Sequence, residues 1–575
     1  MFPIARKTAV TSAIVVAILI AVITSPALAQ EKAGEVLQQL EKKEIVPRTP
    51  ETPIIEKKEE KQQPIPAGPK ILIKQNKVII QNKSKEGKPL LTPEAIRAIT
   101  SKYENKELTL PEINQIAEEI TANYRAQGYI LSYAYISQQE IKDGILEIEV
   151  IEGKIGEITV TGNKSYSSNF IQKHIEEIEK DPSLKEDALE RALLILNEYQ
   201  SLNVKASLKA GKEFGTTDIT VQAKDSLPIS GSLSYDNFGS DTTSRHRISA
   251  EFNIGNLITS GDLLMLRGLT GLDRIDLDNL SYGRAEYQIP IGYSGTKIGF
   301  YYANSLYEAG DEYAILNVYG KAHVAGTYIT HPIIRTLASS LDIRAGFDYK
   351  DVDDYLLDNL RSKDNIREFN LGMTYNLTDT LYGRNIINIT YYQGVRGLLG
   401  GDNKDDPYAS RLNADGGFSK GTIDVVRVQK LPGYNQFIFK ASGQYSQYNL
   451  FVAEQFMLGG EGSVRGFAPA AQSGDSGYAL SAELYLAPIY PETKIFNQNL
   501  GDTIKLVLFA DHGGVFRNDV QPGEDKNDYL TGIGAGVRIY AGKHISVLVD
   551  YALPDIDGKY ETKNSETYVQ AIFSF

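Results

Sequence analysis

"TGIGAGVRIY", residues 531–540, and "HISVLVDYAL", residues 544–553, decide the fold. In the first, Ile533, Ala535, Val537 and Ile539 share one face, and Gly534, Gly536, Arg538 and Tyr540 share the other. In the second, Ile545, Val547, Val549 and Tyr551 oppose Ser546, Leu548 and Asp550. Successive side chains of a strand point to opposite faces, so each run reads as a strand with one apolar side. An apolar outside and a polar, glycine-bearing inside is the pattern of a β-barrel in lipid. A soluble β-sandwich alternates as well, so the rest of the chain has to choose.

Working outward, about sixteen such segments fill residues 227–575, or about 22 residues for each strand with its connection, which suits a transmembrane barrel. "HRISAEFNI", "KIGFYYANS", "QFIFKASGQY" and "TIKLVLFAD" are among the clearest, separated by Gly, Asp, Asn and Pro. The chain ends in Phe575, with Phe573, Ala571 and Val569 on the same face, as expected of an aromatic assembly signal on a last outer-membrane strand. The 35 tyrosines suffice for aromatic girdles at both interfaces. "DVDDYLLDNL" in the 350s and "GGDNKDDPYAS" in the 400s read as long acidic extracellular loops with no assignable ligand.

The N-terminus carries an address. Arg6 and Lys7 precede the apolar "AVTSAIVVAILIAVIT", and "PALAQ" sets Ala27 and Ala29 before Gln30. This predicts a signal peptide over 1–29; an uncleaved membrane anchor is the alternative. No further long apolar run follows, so the mature chain is secreted, periplasmic or a membrane barrel. Residues 30–44 have helical spacing, with Val36, Leu37 and Leu40 on one face. Residues 45–69, rich in Pro, Glu and Lys, read as an extended linker. The pair is either an amphipathic helix on a tether or a disordered N-terminus with a transient helix.

Between them and the barrel stand two similar units, 70–153 and 154–226. Each runs strand, helix, helix, strand, strand, an internal repeat of two small α+β domains. Thr92 and Pro93 open one helix, and Gly128 stops the next.

Catalytic constellations are missing. No H-E-x-x-H and no G-x-S-x-G occurs, so the chain is not read as an enzyme, and no metal or cofactor is expected. With no cysteine, disulfides, thiol catalysis and Cys-ligated zinc are excluded. A net charge of -13 argues against a nucleic-acid binder. "DIDGK" at 555–559 lacks the remaining ligands of a calcium loop and reads as a turn. His512 beside Asp511 points to the opposite face of a strand. "GGEGSVRGF", 459–467, lacks the Lys-Ser/Thr of a phosphate-binding loop. It is a surface hairpin with a solvated arginine, or a loop that pins Arg465; periodicity alone favours the first.

Taken together, the chain resembles the outer-membrane transporter of two-partner secretion, the TpsB or haemolysin activation/secretion type, in which periplasmic POTRA domains precede a barrel. "GYILSYAYISQQEIKDGILEIEVIEGKIGEITVTGN" is similar to the end of the first POTRA domain running into the second. "GGEGSVRGF" matches the loop motif V-R-G-[YF], and "FADHGGV" matches F-x-D-x-G. Ser137 departs from the pattern, standing where the family has a proline two residues before Gln139.

The resemblance implies a mainly β fold, a 16-stranded antiparallel transmembrane β-barrel (227–575) preceded by two periplasmic α+β POTRA domains. It implies that the loop after the twelfth strand folds back into the barrel. Its Gly462, Val464, Arg465, Gly466 and Phe467 would then meet Phe509, Asp511 and Gly513 on the inner wall, with Arg465 on Asp511. Gly462 and Gly466 would permit the sharp turn and close approach. Tyr129, Gln139 and Gly144 are the candidate client-binding residues, and Phe573 and Phe575 the assembly signal. The implied function is secretion of an unfolded partner exoprotein through a barrel in the outer membrane of a Gram-negative-type cell. The POTRA domains would bind the client's N-terminal secretion domain, and no nucleotide would be hydrolysed. The other partners implied are outer-membrane lipid and, during biogenesis, the barrel assembly machinery; the protein is expected to be a monomer. A barrel-assembly factor of the same superfamily and a passive porin are the alternatives.

Overall fold

A computed structural model describes residues 32–41, 55–56, 68–81, 89–177, 185–274, 279–495, 497–555 and 565–575. The signal peptide, the ends of the 30–44 helix, most of the linker and most of "DIDGK" lie outside the described residues. No described helix is long and apolar enough to cross a membrane.

Sixteen strands form one closed barrel, from Ile229–Asp236 to Glu566–Ser574, each antiparallel to its chain neighbours. Closure excludes the sandwich. The first strand pairs with the sixteenth from Ser232↔Ser574 to Asp236↔Gln570, leaving no open edge. Phe575 finishes the seam: its N–H donates to Gly231 O at 3.0 Å, and its carbonyl accepts from Gly231 N at 3.1 Å. Phe573 and Phe575 face outward and are half exposed.

Burial alternates along the thirteenth strand, Ile504–Phe516. Lys505, Val507, Phe509 and Asp511 are buried, and Leu506, Leu508 and Ala510 are exposed. The fourteenth strand, Asn527–Ala541, exposes Ile533, Ala535 and Ile539 and buries Gly536 and Arg538. The apolar side therefore faces lipid, and the polar side faces a filled lumen.

Two α+β units precede the barrel. In the first, Gln75–Gln81, Ile145–Ile151 and Tyr133–Tyr135 form a sheet packed on helices Pro93–Thr100 and Leu110–Ala126. Thr92 caps the first helix, accepting from Ala95 N at 3.3 Å, and Gly128, at φ +89°, ends the second. "ILSYAYIS" yields only the three-residue strand Tyr133–Tyr135, whereas Lys106–Leu108, not foreseen, pairs with Ile71–Ile73. The second unit repeats the order with Lys154–Thr161, helices Ser168–Glu176 and Glu186–Leu196, and strands Leu202–Ala210 and Thr216–Asp225. It docks on the periplasmic rim of the barrel. Arg191 donates to Ile333 O at 3.1 Å, Leu337 N donates to Glu190, and Lys297 pairs with Glu198 at 3.3 Å.

The acidic 350s correct the sequence reading. Residues 351–356 lie in the seventh barrel strand, Ser339–Leu356, and only Leu357 and Asp358 turn into the eighth, Asn359–Thr378. Where the hairpin rises past the lipid, its outer face tolerates charge as well as its inner one: Asp351 pairs with Arg367 at 2.8 Å and Asp353 with Lys363 at 3.7 Å on the outside, while Asp354 is buried on the inside. The 400s do form an extracellular connection, between Gly383–Gly394 and Ser419–Lys430.

Candidate functional site: a pinned loop and a lumenal helix

The long connection carrying "GGEGSVRGF" joins the eleventh strand, Gln436–Ser446, to the twelfth, Ser476–Leu486. It thus follows the eleventh strand rather than the twelfth. Within it, Phe456–Leu458 pairs with Gln472–Gly474 as a separate ribbon, a strand-like segment outside the barrel ladder. The turns fall at Gly459 and Gly460, at φ +113° and +85°; Gly462 is not among the positive-φ glycines.

The loop enters the lumen. Val464 and Phe467 are buried with Leu458, Ala479, Val515 and Leu530. Arg465 lies between them. Its Nε donates to Asp511 Oδ2 at 2.7 Å, and Nη2 donates to Asp511 Oδ1 at 2.9 Å, a two-pronged grip on one carboxylate. The Arg465 backbone N–H adds a third bond to Asp511 at 3.1 Å. Nη1 reaches Asp550 Oδ2 at 3.0 Å, and Nη2 reaches Glu483 Oε1 at 2.9 Å. The guanidinium carbon stands 3.5 Å from the Phe509 ring centroid, a cation–π contact. Gly466, at φ +98°, leaves space where a Cβ would meet Pro554 N at 2.9 Å, and its N–H donates to the Tyr568 hydroxyl at 3.1 Å. Gly513 makes room for Leu458, whose Cδ1 would lie 2.4 Å from a Cβ there.

Asp550 and Glu483 were not foreseen as partners. Asp550 also holds Arg538, at 2.5 Å and 2.9 Å, and Glu483 lies 3.6 Å from Lys440. Two buried arginines and the partly exposed Lys440 thus face three buried carboxylates, and the balance is what makes their burial tolerable. The glycines of the opening stretch supply the berth. A Cβ at Gly532 would meet Arg465 O at 2.0 Å, at Gly534 the Phe509 ring at 2.3 Å, and at Gly536 Asp550 Oδ1 at 1.8 Å. Alternation puts Asp550, Arg538 and these glycines on the inner face; only the register makes them neighbours.

Helix Ala33–Glu41 lies in the same lumen. Ala33, Val36, Leu37 and Leu40 pack against inward-facing Tyr307, Ala322, Val324 and Val352 and against Phe451 and Ala453 of the loop. Asp354 accepts from Ala33 N at 2.8 Å at the helix start. At its other end Arg284 donates to Glu41 at 3.1 Å. Gly34 sits against the loop: a Cβ there would lie 2.6 Å from Ala453 N. Gln38 donates to the Ala453 carbonyl. The next residue, Glu454, is clamped to the wall by Lys350 at 2.7 Å and Lys420 at 2.5 Å. The loop is therefore fixed at two places, and the helix rests on the first.

The three candidates in the first α+β unit have internal partners. Gln139 donates to Glu147 O at 2.7 Å and accepts from Glu147 N at 2.9 Å, covering part of the edge of Ile145–Ile151. It also faces Ser137 O at 3.4 Å. Gly144, at φ +78°, accepts from Lys74 N at 2.7 Å in a tight turn. Tyr129 forms a bridge to Lys185, at the junction with the second unit.

Comparison with known proteins agrees with this architecture. The family model described as "Haemolysin secretion/activation protein ShlB/FhaC/HecB" matches residues 215–539, and "POTRA domain, ShlB-type" matches 78–153. The chain is 25% identical over 476 residues to the heme/hemopexin transporter protein HuxB of Haemophilus influenzae, covering 79% of this chain and 80% of that one. It is also 25% identical over 393 residues to the outer membrane transporter CdiB of Dickeya dadantii, covering 66% and 67%. The solved structure of CdiB from Escherichia coli superposes with a TM-score of 0.71 at 20% identity, over 88% of this chain and 91% of that one. With a family model matched across more than half of its length, the chain belongs to the haemolysin secretion/activation protein family ShlB/FhaC/HecB, outer-membrane transporters of two-partner secretion with periplasmic POTRA domains.

Proposed function

We propose that the barrel conducts one unfolded partner exoprotein to the cell surface, and that helix Ala33–Glu41 stoppers the lumen at rest. The observation that carries this reading is the helix itself: an element from the far N-terminus occupies the lumen of a closed barrel. Its Pro-rich connection suits an element that leaves and returns. The loop fixed by Arg465 is a lasting part of the lining, because its charges are matched within the wall.

Capture falls to the periplasmic units. Their strand edges add an extended client segment through main-chain hydrogen bonds, and grooves beside the edges select side chains. In the first unit Gln139 and Gly144 shape such an edge from within, and Tyr129 sets its angle to the second unit. Folding of the client outside draws the chain outward, so no nucleotide is required. The barrel closes on one chain, which supports a monomer in outer-membrane lipid. Phe573 and Phe575, outward at the closing seam, suit recognition by the barrel assembly machinery.

Reconstitution tests the reading. Proteoliposomes holding the full chain should take up the cognate unfolded exoprotein with no nucleotide present, and deletion of residues 30–69 should raise ion conductance. Uptake equal to that of empty liposomes would refute the transport role, and unchanged conductance would refute the stopper.

A further inference from the structure

Periplasmic connections in outer-membrane barrels are short. Five here are, at 292–295, 336–338, 379–382, 431–435 and 542–544. Two are longer. Residues 256–262 join the second strand, Arg247–Gly255, to the third, Leu263–Gly271, and residues 487–503 join the twelfth to the thirteenth. Each presents a pair of large apolar side chains. Ile258 is 76% exposed beside Leu257, and Ile489 and Tyr490 are 89% and 75% exposed. Round the barrel, strands thirteen to sixteen, one and two stand between the two connections, so the pairs flank the closing seam.

Both connections are built to hold their apolar pair in place. In the first, buried Asp262 takes up the backbone: it accepts from Leu257 N at 2.7 Å, Ile258 N at 2.8 Å and Thr259 N at 2.6 Å. Asn256 N donates to Asp262 O at 3.1 Å, and Gly261 N to Asn256 Oδ1 at 2.7 Å. Every amide from Asn256 to Thr259 therefore has an acceptor inside the turn, so the turn can leave water without stranding an N–H. In the second, Pro488 and Pro491 flank the pair. Pro491 O accepts from Gly501 N at 2.8 Å, and Tyr490 O from Thr493 N at 3.2 Å. The Tyr434 hydroxyl donates to Glu492 at 3.0 Å and accepts from Asn499 at 2.9 Å, and Gln498 accepts from Gly542 N at 3.0 Å. The connection is thus strapped to the turns on either side.

We infer that these two connections are membrane anchors, with Leu257–Ile258 and Ile489–Tyr490 seated in the phospholipid leaflet that faces the periplasm. Continuity with the lipid-facing wall carries this. Directly above the first pair the outer face is Ile254 opposite Leu264 and Phe252 opposite Leu266; above the second it is Leu486 opposite Leu506 and Leu484 opposite Leu508. Ile and Leu suit the acyl boundary, and Tyr suits the headgroup level. Leu381 and Tyr382 are as exposed, but Arg427 on Asp379 at 2.6 Å and Asn385 at 2.7 Å put a polar collar between them and the apolar wall. The second α+β unit leans on the first anchor: a Cβ at Gly261 would meet the Tyr199 ring at 2.7 Å and the Phe170 ring at 2.8 Å. Seating that turn in lipid fixes the height of the unit above the bilayer.

The chain has no tryptophan, so single substitutions report depth directly. Ile258→Trp and Tyr490→Trp, in the full chain, are reconstituted into vesicles of phosphatidylcholine with and without bromine near the head of the acyl chains. Insertion to the headgroup–acyl boundary should cut the emission of both at least about twofold in the brominated vesicles. Phe214→Trp is the control. It is 63% exposed in the loop at the far end of strands Leu202–Ala210 and Thr216–Asp225, roughly 30 Å along the strands from the rim, and its emission should be unchanged. Quenching of Ile258→Trp and Tyr490→Trp no deeper than that of Phe214→Trp would overturn the anchors. Emission that shifts to the blue only as protein density is raised would assign these faces to a second copy of the chain and overturn them equally. Quenching of Tyr382→Trp as deep as theirs would overturn the collar argument that singles out these two connections.

Discussion

Arg465→Ala removes one cation from a buried cluster that is otherwise balanced. Glu483, Asp511 and Asp550 would be left facing only Arg538 and Lys440. Breaking a buried pair from one side costs about 3–5 kcal/mol, because the remaining charge stays desolvated. At about 1.4 kcal/mol per decade, that is roughly two to four decades in the opening equilibrium of the loop. Val464 and Phe467 remain buried and continue to hold the loop by about 1.5–3 kcal/mol each, so the expected result is frequent local opening rather than loss of the barrel. Hydrogen exchange at the amides of 464–467 reads this directly. The double variant Arg465→Ala/Asp511→Ala restores two cations to two carboxylates, so it should be less open than Arg465→Ala alone, with a coupling of about 1–2 kcal/mol. Arg465→Lys should fall between, since one ammonium cannot span carboxylates on three strands. Exchange in Arg465→Ala that matches the natural protein, or a double variant whose loss is the sum of the single ones, would refute the charge-balance argument.

Gly34→Val sets side-chain atoms where Ala453 backbone already lies, so it should expel the helix and raise conductance in planar bilayers. Gly532→Ala places a Cβ 2.0 Å from Arg465 O, and should cost about 1–3 kcal/mol of loop docking, again read by exchange at 464–467. Gly268→Ala, with nothing within 4 Å, should leave that exchange unchanged. In the periplasmic second unit, burial lowers His174 to about 4, between Phe170 O at 2.9 Å and the Tyr199 hydroxyl at 3.0 Å. Its folded pKa lies below the unfolded value near 6.5, so the unfolded state takes the proton first as pH falls. Stability should be flat above about pH 6.5 and drop by about 3 kcal/mol on going down to about pH 4. His174→Gln should remove that slope in the exchange of helix Ser168–Glu176.

How far the sequence speaks is clear from particular residues. Alternation alone assigned Arg538 and Asp550 to the inner face, because a strand's side-chain period is 2 and lipid tolerates only one kind of face. It could not say that Asp550 meets Arg465, since that depends on shear between strands distant in sequence: Asp511 stands opposite Gly532, and Gly536 opposite Asp550. The family motifs bridged one such gap, Arg465 to Asp511, and left Glu483 unmarked. The acidic 350s misled because charge usually signals a loop, yet a hairpin that outgrows the membrane carries charge on paired strands. The two-residue strand Ile55–Glu56, paired with Leu202–Ala210 of the second unit, was beyond pattern reading. Its flanking prolines and lysines describe an unpaired segment, and only the neighbouring sheet edge gives it a partner.

The order of release follows from where the charges sit. The helix is held by apolar packing of Ala33, Val36, Leu37 and Leu40, by the ion pair of Glu41 with Arg284, by Asp354 at its first amide, and by contacts to Ala453. The loop beneath it is held by Glu454 on two lysines and by Arg465 on three carboxylates. Withdrawing the helix breaks contacts to Ala453 but leaves the Glu454 clamp whole, so little of the disturbance reaches Arg465. On the proposed reading, the helix leaves while the loop stays. Arg465 should keep its place on Asp511 when the helix is gone, and solvent-side exchange at 464–467 should be the same with and without residues 30–69.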